Sequence, residues 1–444
     1  MSNIKYTFCL KNGQVMINVS LCSTNIYIMD GRISAISDKN LDSDKTIDCT
    51  NLTVLPGVID SQVHFREPGL EGKETLESGM LAAASGGVTS IFEMPNTNPL
   101  TITPETIEDK LYRASKGAWT DYAFYLGGTM RTSPNLSDWE NLKGVCGIKI
   151  FMGASTGDLV TATDEEVEAV VSNGRRVIAV HAEDQMIMDQ NQNSILGDSH
   201  DVGMHCKWRS PESCLSATMR VVNLARKHKR RVHILHITTE QEMEFLSKNK
   251  DVASVELLAN HLTLHAPECY ERLGTLAQQN PPIRERKHQD ALWAALNSGI
   301  VDIVASDHAP HTLDEKSQTY PKSPSGTPGV QTLVPIMLNH VNNGKLGLAK
   351  LVSLWSYGPE RIHKISNKGR IKEGYDADFT IVDMNKEMVI QNSQQRSKSK
   401  WTPYDGLKVK GWVTHTILRG NCVMQDDEIL SEPLGQMIKF KETI

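Results

Sequence analysis

The sequence has no apolar run near the ~18 residues that a membrane-spanning helix needs, which excludes a helical membrane protein. It has no C-x-x-C pair. Its eight cysteines (Cys9, Cys22, Cys49, Cys146, Cys206, Cys214, Cys269 and Cys422) are scattered singly, and 444 residues can bury a core without disulfides. Met1 to Cys9 shows no basic stretch leading into an apolar core, so no signal peptide is expected and a reducing cytoplasm fits best. Positive charge is not in excess either, since the formal net charge is −6. The densest basic cluster, Lys227-His228-Lys229-Arg230-Arg231, falls between a helix and a strand. It reads as a solvated helix end, not a nucleic-acid surface. Low-complexity segments and internal repeats are also missing. With hydrophobic residues at 39% and charged residues at 23%, what is left is an ordinary globular chain.

Both ends of the chain read as strands. Ile26 to Met29, then Asp30-Gly31-Arg32, then Ile33 to Ile36 has the form of a hairpin with Asp-Gly at its turn. Phe379 to Val382 and Trp412 to Leu418 make the last seventy residues similar. The middle alternates between short apolar runs and helical periodicity. Eight strands are expected there: Val54–Ile59, Val88–Met94, Tyr122–Leu126, Val145–Phe151, Val177–Val180, Val232–Ile237, Val252–Leu257 and Ile300–Ala305. Helix starts lie between them, with capping boxes at Thr163/Glu166 and Thr239/Glu242 and an N1 proline at Ser210-Pro211. Strands alternating with helices eight times predict a closed parallel (β/α)8 barrel.

Polar residues interrupt these strands at their carboxyl ends, where barrels of this kind place their chemistry. Strand one runs into Asp60-Ser61-Gln62-Val63-His64-Phe65-Arg66 and strand two into Met94-Pro95-Asn96. Strand four carries Lys149, strands five and six end in His181 and His236, and strand eight leads to Asp307. The two-residue period puts His64 on the face of Gln62 and Asp60. It also puts His233 opposite His236, packed outward against helices, and makes His308 a structural partner behind Asp307. Any one of these could be an ordinary core residue. Six strands delivering such residues to one rim point to an active site.

Lys149 is the sharpest clue. It stands in Gly147-Ile148-Lys149-Ile150-Phe151, a strand buried on both faces, where an unpaired ammonium is costly and the neutral amine is favoured. A neutral amine can take up carbon dioxide as a carbamate, which turns a misplaced cation into an oxygen ligand. The competing reading is a buried Lys–Asp ion pair. Histidines, a carbamate and an aspartate suit zinc, in a site able to hold two ions and to run metal-assisted hydrolysis or its reverse.

Six segments in chain order, Asp60–Gly69, Met94–Pro99, Gly147–Gly153, Leu235–Thr238, Asn280–Arg284 and Ser306–His311, resemble dihydroorotases of the amidohydrolase superfamily. Gly374–Asp378 is similar to that superfamily's C-terminal sandwich segment. The resemblance implies a (β/α)8 barrel spanning 55–370 and a small β-sandwich built from 1–54 and 371–444. It implies reversible cyclisation of N-carbamoyl-L-aspartate to L-dihydroorotate, in pyrimidine biosynthesis. By position, His64, Lys149 as its carbamate, His181, His236 and Asp307 would hold one or two zinc ions. Arg66, Asn96 and His311 would grip the substrate carboxylate, and Asn280 the ring. Asp307 would also be the catalytic proton carrier. Ser155-Thr156-Gly157 could form a lid, or a plain surface loop.

Gln62 departs from the pattern, standing where the family usually has the first histidine of an H-x-H pair. That makes it a doubtful ligand and leaves the number of zinc ions open. Two other readings follow from the same residues. Dihydropyrimidinases, hydantoinases and allantoinases act on rings without a carboxylate, and Arg66 argues against them. A non-catalytic relative would have shed ligands, yet Lys149, His181, His236 and Asp307 all remain. A small-molecule substrate is therefore the expected partner, with no nucleic acid or membrane, and a homodimer is left open.

Overall fold

The computed structural model describes residues 5–154 and 159–441. The eight apolar runs become eight parallel strands that pair in chain order. They are β1 (Val58–Val63), β2 (Val88–Glu93), β3 (Asp121–Gly127), β4 (Val145–Phe151), β5 (Ile178–His181), β6 (Val232–Ile234), β7 (Ala253–Leu258) and β8 (Ile303–Ala305). Every residue in them is buried, which is why they read as near-continuous apolar runs instead of alternating ones. The ring closes just past β8, through a parallel bridge between Val63 and His308 in which His64 N–H donates to His308 O at 2.7 Å. Helices such as Asp164–Val171 and Pro211–Lys227 pack outside it. Thr163 and Glu166 form both halves of the expected capping box, and Thr239 accepts from Glu242 N–H at 3.1 Å.

The first expected strand, Val54–Ile59, is two strands. Thr53–Pro56 belongs to the sandwich and β1 begins at Val58. Gly57 divides them because the backbones meet there. Its N–H donates to Asp378 O at 2.9 Å, and a side-chain carbon on it would lie 2.3 Å from Thr89 Oγ1.

Both chain ends build the sandwich. One sheet pairs Arg32–Ser37, Asn25–Met29, Tyr6–Lys11 and Ser43–Asp48. The other places Thr53–Pro56 antiparallel to Phe379–Val389, which pairs in turn with Lys408–Leu418. The Asp-Gly hairpin forms as expected, with Asp30 at φ 51° and Gly31 at φ 73°. Phe8, Ile26, Ile28, Val54, Phe379 and Ile417 share the core between the sheets. The chain leaves the sandwich between residues 390 and 408 and lies against the loops at the barrel's carboxyl end. There Ser397 Oγ donates to Glu74, Trp401 Nε1 to His311 O at 2.8 Å, and Tyr404 OH to Asn260.

Candidate active site at the carboxyl end of the barrel

Strand geometry brings Gln62, His64, Lys149, His181, His236 and Asp307 into one cavity, walled by Phe151, Asn280 and Ser325 to Thr327. Three candidate site residues adopt left-handed backbone: Arg66 at φ 66°, His236 at φ 40° and Asp307 at φ 47°. Such conformations cost about 1–3 kcal/mol each in a non-glycine residue and persist where surrounding structure imposes them.

That backbone corrects two expectations from simple alternation. His233 does not pack outward. It faces the barrel interior, its Nδ1 2.9 Å from Ser254 Oγ and its Nε2 3.3 Å from Glu256. The regular strand stops at Ile234, and the turn at His236 swings that ring inward as well. Asp60 does not share the cavity with Gln62 and His64. The pairing of β1 with β2 shifts register between Asp60 and Val63, and Asp60 Oδ1 instead accepts from Ser306 N–H at 3.2 Å. His308 is structural as expected, accepting at Nδ1 from Gly329 and Val330 N–H and meeting Glu74 at Nε2.

The ligand candidates fall into facing pairs. His64 Nδ1 donates to Asn96 Oδ1 at 2.8 Å, which leaves Nε2 bare and 3.2 Å from Asp307 Oδ1. Protonating both ring nitrogens would relieve that opposition, but burial disfavours the imidazolium and lowers the pKa of His64. His181 Nε2 donates to Glu183 at 2.9 Å, so its Nδ1 is left as the acceptor of a 3.0 Å hydrogen bond from His236 Nε2. Burial drives the pKa of His236 well down, with His181 adding to the effect. Burial alone would raise Asp307, yet the imidazoles and Lys149 around it hold its carboxyl well below the usual range.

Lys149 is fully buried, and its Nζ makes no hydrogen bond among the described residues; it lies over the Phe151 ring, 4.3 Å from its centroid. Burial pushes its pKa down to about 7, against the opposing pull of Asp307 and Glu256. The amine is thus poised to be neutral. Gln62 Oε1, His236 Nδ1 and Asp307 Oδ1 are also buried without hydrogen-bond partners among the described residues.

Residues 53–423 match the model of the Amidohydrolase family. The chain belongs to the amidohydrolase family. Within the family it is similar to the dihydroorotase of Pyrococcus abyssi, at 37% identity over 96% of this chain and 97% of that one. The dihydroorotase of Methanosphaera stadtmanae is 34% identical over 97% and 98%. Among solved structures the L-hydantoinase (dihydropyrimidinase) of Arthrobacter aurescens superposes with a TM-score of 0.93 at 28% identity, covering 98% of this chain and 99% of that one.

A divalent metal fits what this amidohydrolase presents. The opposed acceptors of His64 and Asp307, an amine ready to become a carbamate, and buried polar atoms without partners would all be relieved by a cation in their midst. His64, His181, His236, Asp307 and carbamylated Lys149 are the residues that would hold it. The second layer supports this: Asn96 and Glu183 each fix a histidine tautomer so that one nitrogen points into the cavity.

The substrate-side candidates are less uniformly placed. Asn280 lines the cavity, and its Oδ1 sits 2.9 Å from His205 Nε2. Arg66, Asn96 and His311 stand outside that lining. Arg66 Nε donates to Pro310 O at 3.1 Å, and Nη2 lies 3.2 Å from His311 Nε2, which also meets Ser325 O at 3.1 Å. Lys73 Nζ is 3.2 Å from His311 Nδ1 and 2.8 Å from Glu315, and burial pushes the pKa of His311 down to about 3, so Arg66 and Lys73 carry the positive charge of the group and Glu315 offsets part of it. Ser155-Thr156-Gly157 lies outside the described residues.

Sequence reading missed Glu183, which Arg209 pins through Nε at 3.1 Å. Its signal was present in His181-Ala182-Glu183, a carboxylate one strand period beyond a candidate ligand histidine. His205 and Gln279 carried no comparable signal.

Proposed function

We propose that this amidohydrolase is a dihydroorotase, interconverting L-dihydroorotate and N-carbamoyl-L-aspartate in pyrimidine biosynthesis, with zinc at His64, Lys149 carbamate, His181, His236 and Asp307. The observation that carries the reading is similarity to dihydroorotases along nearly the whole chain, joined to the Arg66 guanidinium, set against His311 and near Lys73, beside the candidate metal-ligand cavity. When bound, the metal supplies Lewis-acid polarisation of the amide carbonyl and an activated water. Asp307, kept ionised by its surroundings, accepts a proton on ring opening and returns it to the departing nitrogen; it takes the ureido proton in the reverse direction. Arg66, with Asn96 and His311, binds the ring carboxylate, and Asn280 orients the ring. The eight free thiols suit a reducing, cytoplasmic setting. Among the described residues no helix is long and apolar enough to cross a membrane.

The fold alone favours a hydantoinase equally, as the TM-score of 0.93 makes plain. The two readings part at the carboxylate. Turnover of dihydroorotate, dihydrouracil, hydantoin and allantoin, followed by ultraviolet absorbance, separates them: dihydroorotate alone should be opened efficiently. In Arg66→Met, kcat/KM for dihydroorotate should fall by about 2–4 kcal/mol of transition-state binding while metal content holds. Unchanged kinetics, or better turnover of hydantoin than of dihydroorotate by the wild type, would remove the reading.

A further inference from the structure

A second cavity, of about 250 Å³, opens at the opposite, amino-terminal face of the barrel, where β4, β5 and β7 begin. Arg175, Arg176, Arg231, Arg361 and Lys364 line it, and no aspartate or glutamate does. Composition does not force such a concentration, because the chain as a whole carries a net −6. The acids nearby are already engaged. Glu140 accepts from the backbone N–H groups of Arg175 and Arg176 and from Arg230 at 2.8 Å. Asp302 is shared between Arg361, at 2.8 Å, and Lys250. Arg226 takes the Asp251 carboxylate, and Arg231 reaches only the Asp251 backbone oxygen, at 3.0 Å.

This accounts for the basic cluster in the sequence. Lys227 and His228 both lie 2.6 Å from Glu168, and Arg230 is buried against Glu140. Arg231 is the member directed to the cavity. Arg176 forms a fixed part of the wall: it is buried, donates to Val145 O, and lies over the Phe440 ring at 5.0 Å. His363 is neutral there, since burial pushes its pKa down to about 3.

Guanidinium forks match phosphoryl oxygens in pairs, and several around one space favour an anion of multiple charge. The volume falls just below the ~300–1,000 Å³ of sites for drug-sized ligands. The aromatic face at hand, Phe440, is already covered by Arg176, so a stacked base has no platform. We propose that this cavity is a binding site for a small anion bearing two phosphoryl groups. Cys146 and Val177, in its lining, stand on or beside the strands that carry Lys149 and His181, so an occupant also braces those strands from below.

Calorimetric titration of the metal-loaded full chain with fructose 1,6-bisphosphate, inorganic phosphate and sulfate at constant ionic strength tests this. The bisphosphate should bind one to one, at least tenfold more tightly than inorganic phosphate or sulfate, and should raise the melting temperature. The exposed pair Arg175→Ala with Arg231→Ala should weaken that binding tenfold or more, as should Arg231→Glu alone, while Arg66→Met leaves it intact. Absence of bisphosphate binding, equal affinity for sulfate, or affinity unmoved by the arginine variants overturns the proposal. So does loss of binding in Arg66→Met, which would assign the anion to the catalytic end.

Discussion

Lys149 and Lys368 are both buried, and the structure treats them in opposite ways. Lys368 stands at the seam between barrel and sandwich. Its Nζ contacts Asp121 at the start of β3, Asp376 at 3.0 Å and Asp378 at 2.6 Å. Burial would lower its pKa, but the three carboxylates outweigh burial and raise it. Arg419 also reaches Asp121, at 2.5 and 2.6 Å. Three carboxylates so close together resemble a metal site, but Lys368 is their counter-ion. Lys149 has no such neighbours within hydrogen-bonding reach, and its pKa falls to about 7. The seam keeps its ammonium and neutralises it. The barrel mouth leaves an amine open to chemistry. Burial is common to both, so the placement of carboxylates decides which lysine keeps its charge and which is poised to lose it.

The comparison breaks most sharply at Lys149. Lys149→Met should lose bound zinc and lower kcat for dihydroorotate by 10³-fold or more, because a thioether cannot become the carbamate ligand. Metal analysis by mass spectrometry and steady-state kinetics check this together. Retained zinc and activity would show that the lysine is structural after all.

Lys368→Met should do the reverse. Two buried carboxylates and a half-buried one left without this ammonium should cost about 3–5 kcal/mol of stability, read from urea unfolding. Zinc content and kcat per folded molecule should stay within twofold, since no site residue touches the seam. An equal loss of stability in Lys149→Met would erase the distinction.

The two lysines also predict opposite signs in the metal-free chain. Lys149 has a pKa of about 7 in the fold and 10.5 as its ordinary value. Below pH 7 both folded and unfolded chains hold the proton, and the whole cost of a buried ammonium is present. Between pH 7 and 10.5 the unfolded chain binds a proton that the folded chain lacks, so stability rises with pH across that window. Metal-free Lys149→Met should therefore exceed the wild type by roughly 2–4 kcal/mol at pH 6, with the gap closing towards pH 10. Urea melts of both proteins at pH 6, 8 and 10 would expose a constant gap, or one that widens with pH.

Much of this was legible in the sequence because the signals are local. The eight apolar runs marked the barrel, and a lysine inside one of them pointed to the cavity where the candidate residues gather. What was not legible depends on contacts distant along the chain or on single backbone angles. The partners of Lys368 come from Asp121 and from two residues beyond it, and no periodicity connects them. His233 was assigned outward because alternation was carried through Leu235, and nothing in the letters announces φ 40° at His236. Asp60 was grouped with Gln62 and His64 for the same reason: the register shift in β1 is a property of the pairing, not of the run. The segment 390–408 lies against the barrel mouth because Trp401 finds the carbonyl of His311, a contact that composition could not foretell.

Gln62 gives the smallest and finest test of how the mouth treats its polar atoms. Its side-chain oxygen is buried in the cavity without a hydrogen-bond partner among the described residues, so it faces the same space as the ligands. A neutral amide oxygen is a poorer zinc ligand than imidazole. Under the proposed function, Lys149 carbamate, His181 and His236 would supply one complete set, with Glu183 fixing the tautomer of His181. His64 and Asp307, with the same carbamate, would make a thinner set that Gln62 would complete only weakly. One zinc should therefore survive dialysis against a mild chelator, while a second is lost. Gln62→His should tighten the second by roughly tenfold or more, about 1.4 kcal/mol, without altering the first. Two zinc ions retained by the wild type, with no gain in the histidine variant, would mean that water completes an equally strong second site and that Gln62 is only a spacer.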